Sequence, residues 1–286
     1  MLGCHGRVGR VFERFARLAA GRMRAARICC GDGMDSCTPV GNISDRRWRA
    51  DMQPGFVLRG MLGGLTLALV ITIAPGAAAD EFRSLFDGKS LAGWSAHDPS
   101  YWSVRDGALT GESTPEHPCT SNQFLVWQGG EVADFELKLK FRVTGNLCNS
   151  GVQFRSRFRD DGLAVGYQAD ILESGPYLGG VCDEMHTRKG PELLTANGKK
   201  TVIDESGQRT ATDLGVTATM RPEGEWNDYH IQARGQHIIL SINGVKCSEL
   251  IDREQGHFDL KGLLGLQLRS GKPMTVQFKD IFLKPL

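Results

Sequence analysis

"DFELKLKFRV", residues 134–143, sets Phe135, Leu137, Leu139, Phe141 and Val143 alternately with polar and charged neighbours. Side chains that alternate in this way occupy opposite faces of an extended chain, so the stretch reads as a half-buried antiparallel strand. A helix would need its apolar residues at spacings of three and four. Outward from this strand the same period recurs. "HIILSINGVKC" (237–247) is a strand, an Asn243-Gly244 turn and a second strand, and Asn-Gly supplies the two positive φ angles that a tight hairpin demands. "LLGLQLRSGKPMTVQFKDIFLKPL" (263–286) adds two strands around a Gly-Lys-Pro loop. No segment sustains a helical period. The expected class is all-β, a sandwich of two antiparallel sheets.

The front of the chain differs. "MLGGLTLALVITIAPGAAA" (61–79) is an apolar run ending in small residues, with Arg59 before it and Ala77-Ala78-Ala79 in the pattern signal peptidase accepts. Residues 52–79 are therefore expected to be a signal peptide and the protein to be exported, periplasmic or extracellular. The run is short for a membrane span, which needs about 20 apolar residues, so no stable span is expected after cleavage. Residues 1–51 carry ten Arg, no Lys and four of the eight Cys. They read as an upstream extension before a start at Met52, a basic nucleic-acid-binding arm being the alternative.

Eleven of the 34 Lys and Arg and five of the 33 Asp and Glu precede Asp80, leaving 23 basic against 28 acidic residues in 80–286. A net charge of about −5 argues against a nucleic-acid partner, which needs a basic face. The length suits a single sandwich domain over 80–286. Its cysteines are Cys119, Cys148, Cys182 and Cys247. Export permits disulfides; a Cys148–Cys182 bridge is the favoured pairing, with four free thiols as the alternative.

"SGVQFRS" (150–156) and "GYQADIL" (166–172) flank a charged turn. As a hairpin pairing Ser156 with Gly166 or Tyr167, they set Arg155 opposite Gln168 and Gln153 opposite Asp170. Val152, Phe154, Ala169 and Ile171 then share the core face, and Gln153, Arg155, Gln168 and Asp170 the other. "GYQADILE" (166–173) also resembles the Glu-x-Asp-x-x-Glu strand of concanavalin-like sandwich glycosidases, with Gln168 where the nucleophilic Glu would stand. A carboxamide cannot act as that nucleophile.

The stretches "SLFDGKSLAGW" (84–94), "YWSVRDGALTG" (101–111), "FLVW" (124–127), "DFELKLKFR" (134–142), "NSGVQFRS" (149–156), "GYQADI" (166–171), "GEWNDYHI" (224–231) and "INGV" (242–245) occur in the order of the 3-keto-disaccharide hydrolase domain family. The chain resembles that family over nearly all of 80–286. The resemblance implies a concanavalin A-like jelly-roll sandwich and cleavage of glycosides oxidised at carbon 3.

A ketone at carbon 3 acidifies the hydrogen on carbon 2, so a base can open an elimination route that needs no carboxylate nucleophile. The requirements are a base, an oxyanion stabiliser and an acid for the leaving group. Asp170 and Glu184 are the expected proton-transfer groups, with Arg155 and His186 supporting the oxyanion. Gln153, Gln168, Asp183, Trp127 and His97 are expected to bind substrate, an oxidised glycoside. Trp94, like Trp127, borders a loop and could stack on a sugar, while Trp102 and Trp226 read as core. In "CDEMHTRKG" (182–190), read as a loop, the chain departs from the family's Asp-Glu and Gly-Arg-Gly-like turn at Met185 and His186. The sequence requires no cofactor. A divalent cation could replace the arginine, with Asp170, Asp183, Glu184 and His186 as suitable ligands, though no fixed-spacing metal motif exists. The rival class is a non-catalytic, lectin-like module.

Overall fold

The computed structural model describes residues 81–145, 148–184, 188 and 192–286. Residues 1–51, the 52–79 segment and His186 lie outside them. Chain contacts separate Met1–Leu69 from Val70–Leu286, and every described residue falls in the second unit.

The strands in chain order are β1 (Arg83–Ser84), β2 (Trp94–Ala96), β3 (Trp102–Arg105), β4 (Ala108–Ser113), β5 (Gln123–Trp127), β6 (Phe135–Gly145), β7 (Asn149–Phe158), β8 (Ala164–Leu172) and β9 (Val181–Glu184). They continue as β10 (Glu192–Thr195), β11 (Lys199–Ile203), β12 (Arg209–Asp213), β13 (Asn227–Arg234), β14 (His237–Ile242), β15 (Val245–Asp252), β16 (Leu263–Leu268) and β17 (Met274–Pro285). One sheet has ten strands in the order β12-β11-β15-β14-β13-β6-β17-β4-β3, with β1 also on β17; the other has seven, β10-β9-β8-β7-β16-β5-β2. The expected all-β jelly-roll sandwich is present. One pairing departs from the antiparallel expectation: β11 runs parallel to β15. Among the described residues the helical content is a single 3₁₀ turn, Pro99–Tyr101, and no helix is long and apolar enough to cross a membrane.

The alternation of 134–143 places Phe135, Leu137, Leu139, Phe141 and Val143 in the core, where they meet Val152, Phe154, Ala169 and Ile171 of the facing sheet. Phe135 packs edge-on against Phe154 across the interface, with ring centroids 6.0 Å apart. Each such side chain contributes about 1.5–3 kcal/mol by leaving water. The β14–β15 hairpin turns through Asn243 and Gly244, both at positive φ (51° and 80°), as the dipeptide demanded.

Two expectations need correction here. Trp226 is not core: it lies partly exposed on the outer face of the larger sheet, with Arg142 and Lys279 against its ring. Nor does Cys148 bridge Cys182. All four described cysteines are buried free thiols, because Cys148 packs into the core while Cys182 points to the opposite face, towards Asp170.

Candidate active site

The polar face of the seven-stranded sheet is set by strand parity. In β7, β8 and β16 the core takes Val152, Phe154, Tyr167, Ala169, Ile171, Leu266 and Leu268. The residues between them, Gly151, Gln153, Gln168, Asp170 and Gln267, therefore share the other face. Across the strands the rows are Gln267–Gly151–Asp170 and Gly265–Gln153–Gln168–Cys182.

The parity expected from sequence is correct, but the register is shifted by two. Gln153 pairs with Gln168 and Gly151 with Asp170. The shift comes from a bulge between Phe154 and Arg157, where Arg155 takes φ 49°. Gly166 on β8 and Gly262, just before β16, make room for it. A Cβ on Gly166 would lie 2.7 Å from Ser156 Oγ, and one on Gly262 would lie 2.4 Å from the Arg155 carbonyl carbon. Arg155 is thus not beside Gln168. Its side chain, 1% exposed, donates to the carbonyls of Ala133, Gly235 and Asp259 and pairs with Asp134 at 3.0 Å. The bulge rotates it off the polar face, and it ties three connections of the sandwich together.

On the polar face, Ser156 Oγ donates to Gln153 Oε1 at 2.9 Å, and Gln153 Nε2 donates to Gln168 Oε1 at 3.0 Å. Gln168 lies over Gly151, whose missing side chain would otherwise meet the amide carbon at 2.5 Å. Asp170, 3% exposed, accepts from the Ile171 N–H at 2.9 Å and from the Cys182 thiol at 3.1 Å. Burial pushes its pKa up to about 6; the thiol, the Ile171 N–H and Arg269 pull it back, and Glu184 pushes it further up.

Glu184, on β9 rather than in a loop, is buried on the same face and accepts from Asn122 Nδ2 at 3.3 Å. Burial raises its pKa as well, against the pull of Arg269 and Asn122. Asn122 directly precedes β5, which three strands separate from β9, so this bond spans the width of the polar face. Asn122 also accepts from the backbone N–H and hydroxyl of Ser270, which brings the exposed Arg269 to the rim of the site.

The remaining expected residues lie elsewhere. Asp183 pairs with Tyr167 in register and so faces inward, where Arg188 binds it at 2.6 Å along with Asp252 and Glu254. Trp127 and Trp94 pair across β5 and β2 and are both buried in the core; Trp94 Nε1 donates to the Leu85 carbonyl at 2.8 Å. Their position next to loops left the core side undetermined in sequence, and pairing with core-facing neighbours decides it. His97 is exposed, against Gly162 of the β7–β8 turn. Sequence reading missed Arg269, Asn122 and Gln267. For Arg269 and Gln267 a signal existed, since both continue the polar parity of "LLGLQLR" (263–269). For Asn122 none did, because its contact is long-range. Among the described residues no three His, Cys, Asp or Glu side chains gather as a metal site.

A jelly-roll sandwich with buried amides and carboxylates on one sheet face has the build of a carbohydrate-active domain. The chain belongs to the 3-keto-alpha-glucoside-1,2-lyase-like domain family, whose pattern it matches over residues 81–284. No curated protein matches it. Similar solved structures include a candidate glycosyl hydrolase of Parabacteroides distasonis ATCC 8503, 21% identical, covering 72% of this chain and 100% of that one with a TM-score of 0.47. A carbohydrate-binding module of Bacillus subtilis is 12% identical, covering 67% and 95%, TM-score 0.46. Porphyranase B of Zobellia galactanivorans is 11% identical, covering 74% and 96%, TM-score 0.42. Likenesses this distant carry nothing about activity.

Proposed function

We propose that the domain cleaves 3-keto-glycosides by elimination. The observation that carries this is the pairing of an amide at position 168, held by Gln153, with a buried Asp170 whose pKa sits at about 6. A retaining glycosidase needs two carboxylates about 5–5.5 Å apart, one of them a nucleophile; an elimination needs a base poised near neutrality. Asp170 takes the proton from carbon 2, and the electron pair passes onto the carbon 3 oxygen as an enediolate. Arg269 lies close enough to act on both carboxylates and opposes that developing charge. The enediolate expels the group on carbon 1, which takes a proton from Glu184, an acid whose raised pKa keeps it protonated longer. Water then adds to carbon 1, giving a proton back to Glu184, while Asp170 returns its proton to carbon 2.

Incubation with methyl 3-keto-α-glucoside and its unoxidised parent tests this reading. Methanol should be released from the keto compound alone. Equal release from both would exclude the elimination; binding of both without release would favour the lectin-like alternative. We also propose that the protein acts outside the cytoplasm after loss of residues 1–79. The exported form should then begin at or near Asp80 by mass spectrometry, and an intact exported 1–79 segment would overturn it.

A further inference from the structure

β12 ends the ten-stranded sheet and pairs on one side only, with β11. Its five residues, Arg209-Thr210-Ala211-Thr212-Asp213, are all exposed, although Thr201 and Ile203 of β11 are buried. The strand thus gains little from burial, and a single ladder offsets the cost of ordering it. Its other edge is open. The Asp204 N–H donates to the Gln208 carbonyl and the Leu214 N–H to the Gly198 carbonyl, in register with the ladder between them. Alternate pairs of an antiparallel ladder are bonded, so Thr210 and Thr212 turn their backbone groups to β11. Arg209, Ala211 and Asp213 turn theirs outward, where among the described residues no hydrogen-bond partner meets them. Edge strands are usually blunted by a proline, a bulge or a charge in mid-strand. The centre of β12, Thr210-Ala211-Thr212, has none of these.

The strand is complementary to itself. Laid antiparallel about a two-fold axis at Ala211, Arg209 meets the second copy's Asp213, and Thr210 meets its Thr212. The outward groups of Arg209, Ala211 and Asp213 then form the bonded pairs, each pair exchanging both of its bonds. A slip of one residue would set outward groups against inward ones, and a slip of two would put an alanine opposite a charge. Side chains alternate, so Arg209 and Asp213 share one face of the strand. On that face Glu192 binds Arg209 at 2.8 Å and Lys199 binds Asp213 at 2.6 Å. In the pair, charge alternates across the seam from Glu192 to Arg209 and on to the second copy's Asp213 and Lys199. Opposite charges facing across strands are favourable, and like charges are not. We infer that β12 is a docking edge for a second copy of this chain, joining two ten-stranded sheets into one across a two-fold axis. A ladder this short falls below the about 1,000 Å² of a tight interface, so the dimer belongs to the weak, transient class.

Sedimentation velocity on the full-length chain tests this from about 1 μM to about 1 mM, the range in which weak pairs form. The wild type should pass from monomer to dimer as concentration rises and go no further. Ala211→Pro removes an outward N–H at the axis and leaves the ladder to β11 whole. It should associate about 10-fold or more weakly, with a melting temperature close to that of the wild type. Two charge variants decide the matter if the proline variant does not fold. Arg209→Asp brings acid against acid across the axis and Asp213→Arg brings base against base, so each alone should associate about 10-fold more weakly. Mixed in equal amounts, the two face each other with opposite charges and should recover association to within about threefold of the wild type. A wild type that stays monomeric over the whole range, or that forms species larger than a dimer, would overturn the assignment. So would undiminished association of a folded Ala211→Pro, or a mixture of the charge variants that associates no better than either alone.

Discussion

Asp170 is held against its own preference. Burial is the largest influence on it and favours the protonated form, so its pKa is about 6 in the folded chain against an ordinary 3.8. A group with a raised folded pKa stabilises the fold fully below the unfolded value and loses that contribution as pH climbs through the folded one. Between about pH 4 and 6 the wild type should therefore lose on the order of 3 kcal/mol. Asp170→Asn keeps the shape without the charge. It should melt above the wild type at pH 7, with the difference gone by pH 4, a comparison that thermal unfolding makes directly. The same substitution should lower turnover about 10²-fold or more. Wild-type kcat/KM for the keto substrate should rise through about pH 6 as the base ionises. A flat profile from pH 5 to 7 would remove Asp170 from that role.

At the scale of elements, the β7 bulge decides which residues meet. Alternation in "SGVQFRS" and "GYQADIL" was enough to assign faces, since a one-residue slip would turn a whole apolar set outward. A two-residue slide keeps every face and changes every partner, so alternation could not exclude it. What sets the register is the room left by Gly166 and Gly262, one of them far along the chain. The sandwich, the 243–244 hairpin and the Gln153–Gln168–Asp170 face were thus legible in the sequence. The places of Arg155, Asp183 and Trp127 were not, because each depends on a bulge, a cross-sheet partner or an edge pairing. Arg155 is accordingly a tie between turns. Arg155→Met would leave the Ala133 and Gly235 carbonyls without their donor and should cost about 3 kcal/mol in chemical unfolding. Measured below the melting range, KM for the keto substrate should stay within about twofold. A large rise in KM with stability intact would return Arg155 to the substrate.

At the scale of the whole sandwich, a buried charge cluster adds to the apolar contact between the two sheets. Arg188, its side chain 3% exposed, contacts Asp183 of the smaller sheet, Asp252 of the larger one, and Glu254 just beyond. Tyr167 donates to the same Asp252 from the smaller sheet, so the cluster couples the strand that carries Glu184 to β15. Three carboxylates surround the guanidinium, which offsets part of their negative charge. A buried ion group of this kind is weak as net stabilisation but costly to break from one side, about 3–5 kcal/mol. Arg188→Met should cost about that much at pH 7. Without the guanidinium, the buried Asp183 and Asp252 are left facing each other with no arginine between them. Adding Asp252→Asn to the variant should therefore recover part of the loss at pH 7 by removing one of the facing charges. Thermal unfolding of the single and double variants makes the comparison. A double variant no more stable than Arg188→Met would mean that Arg188 acts through packing of its side chain and not through its charge.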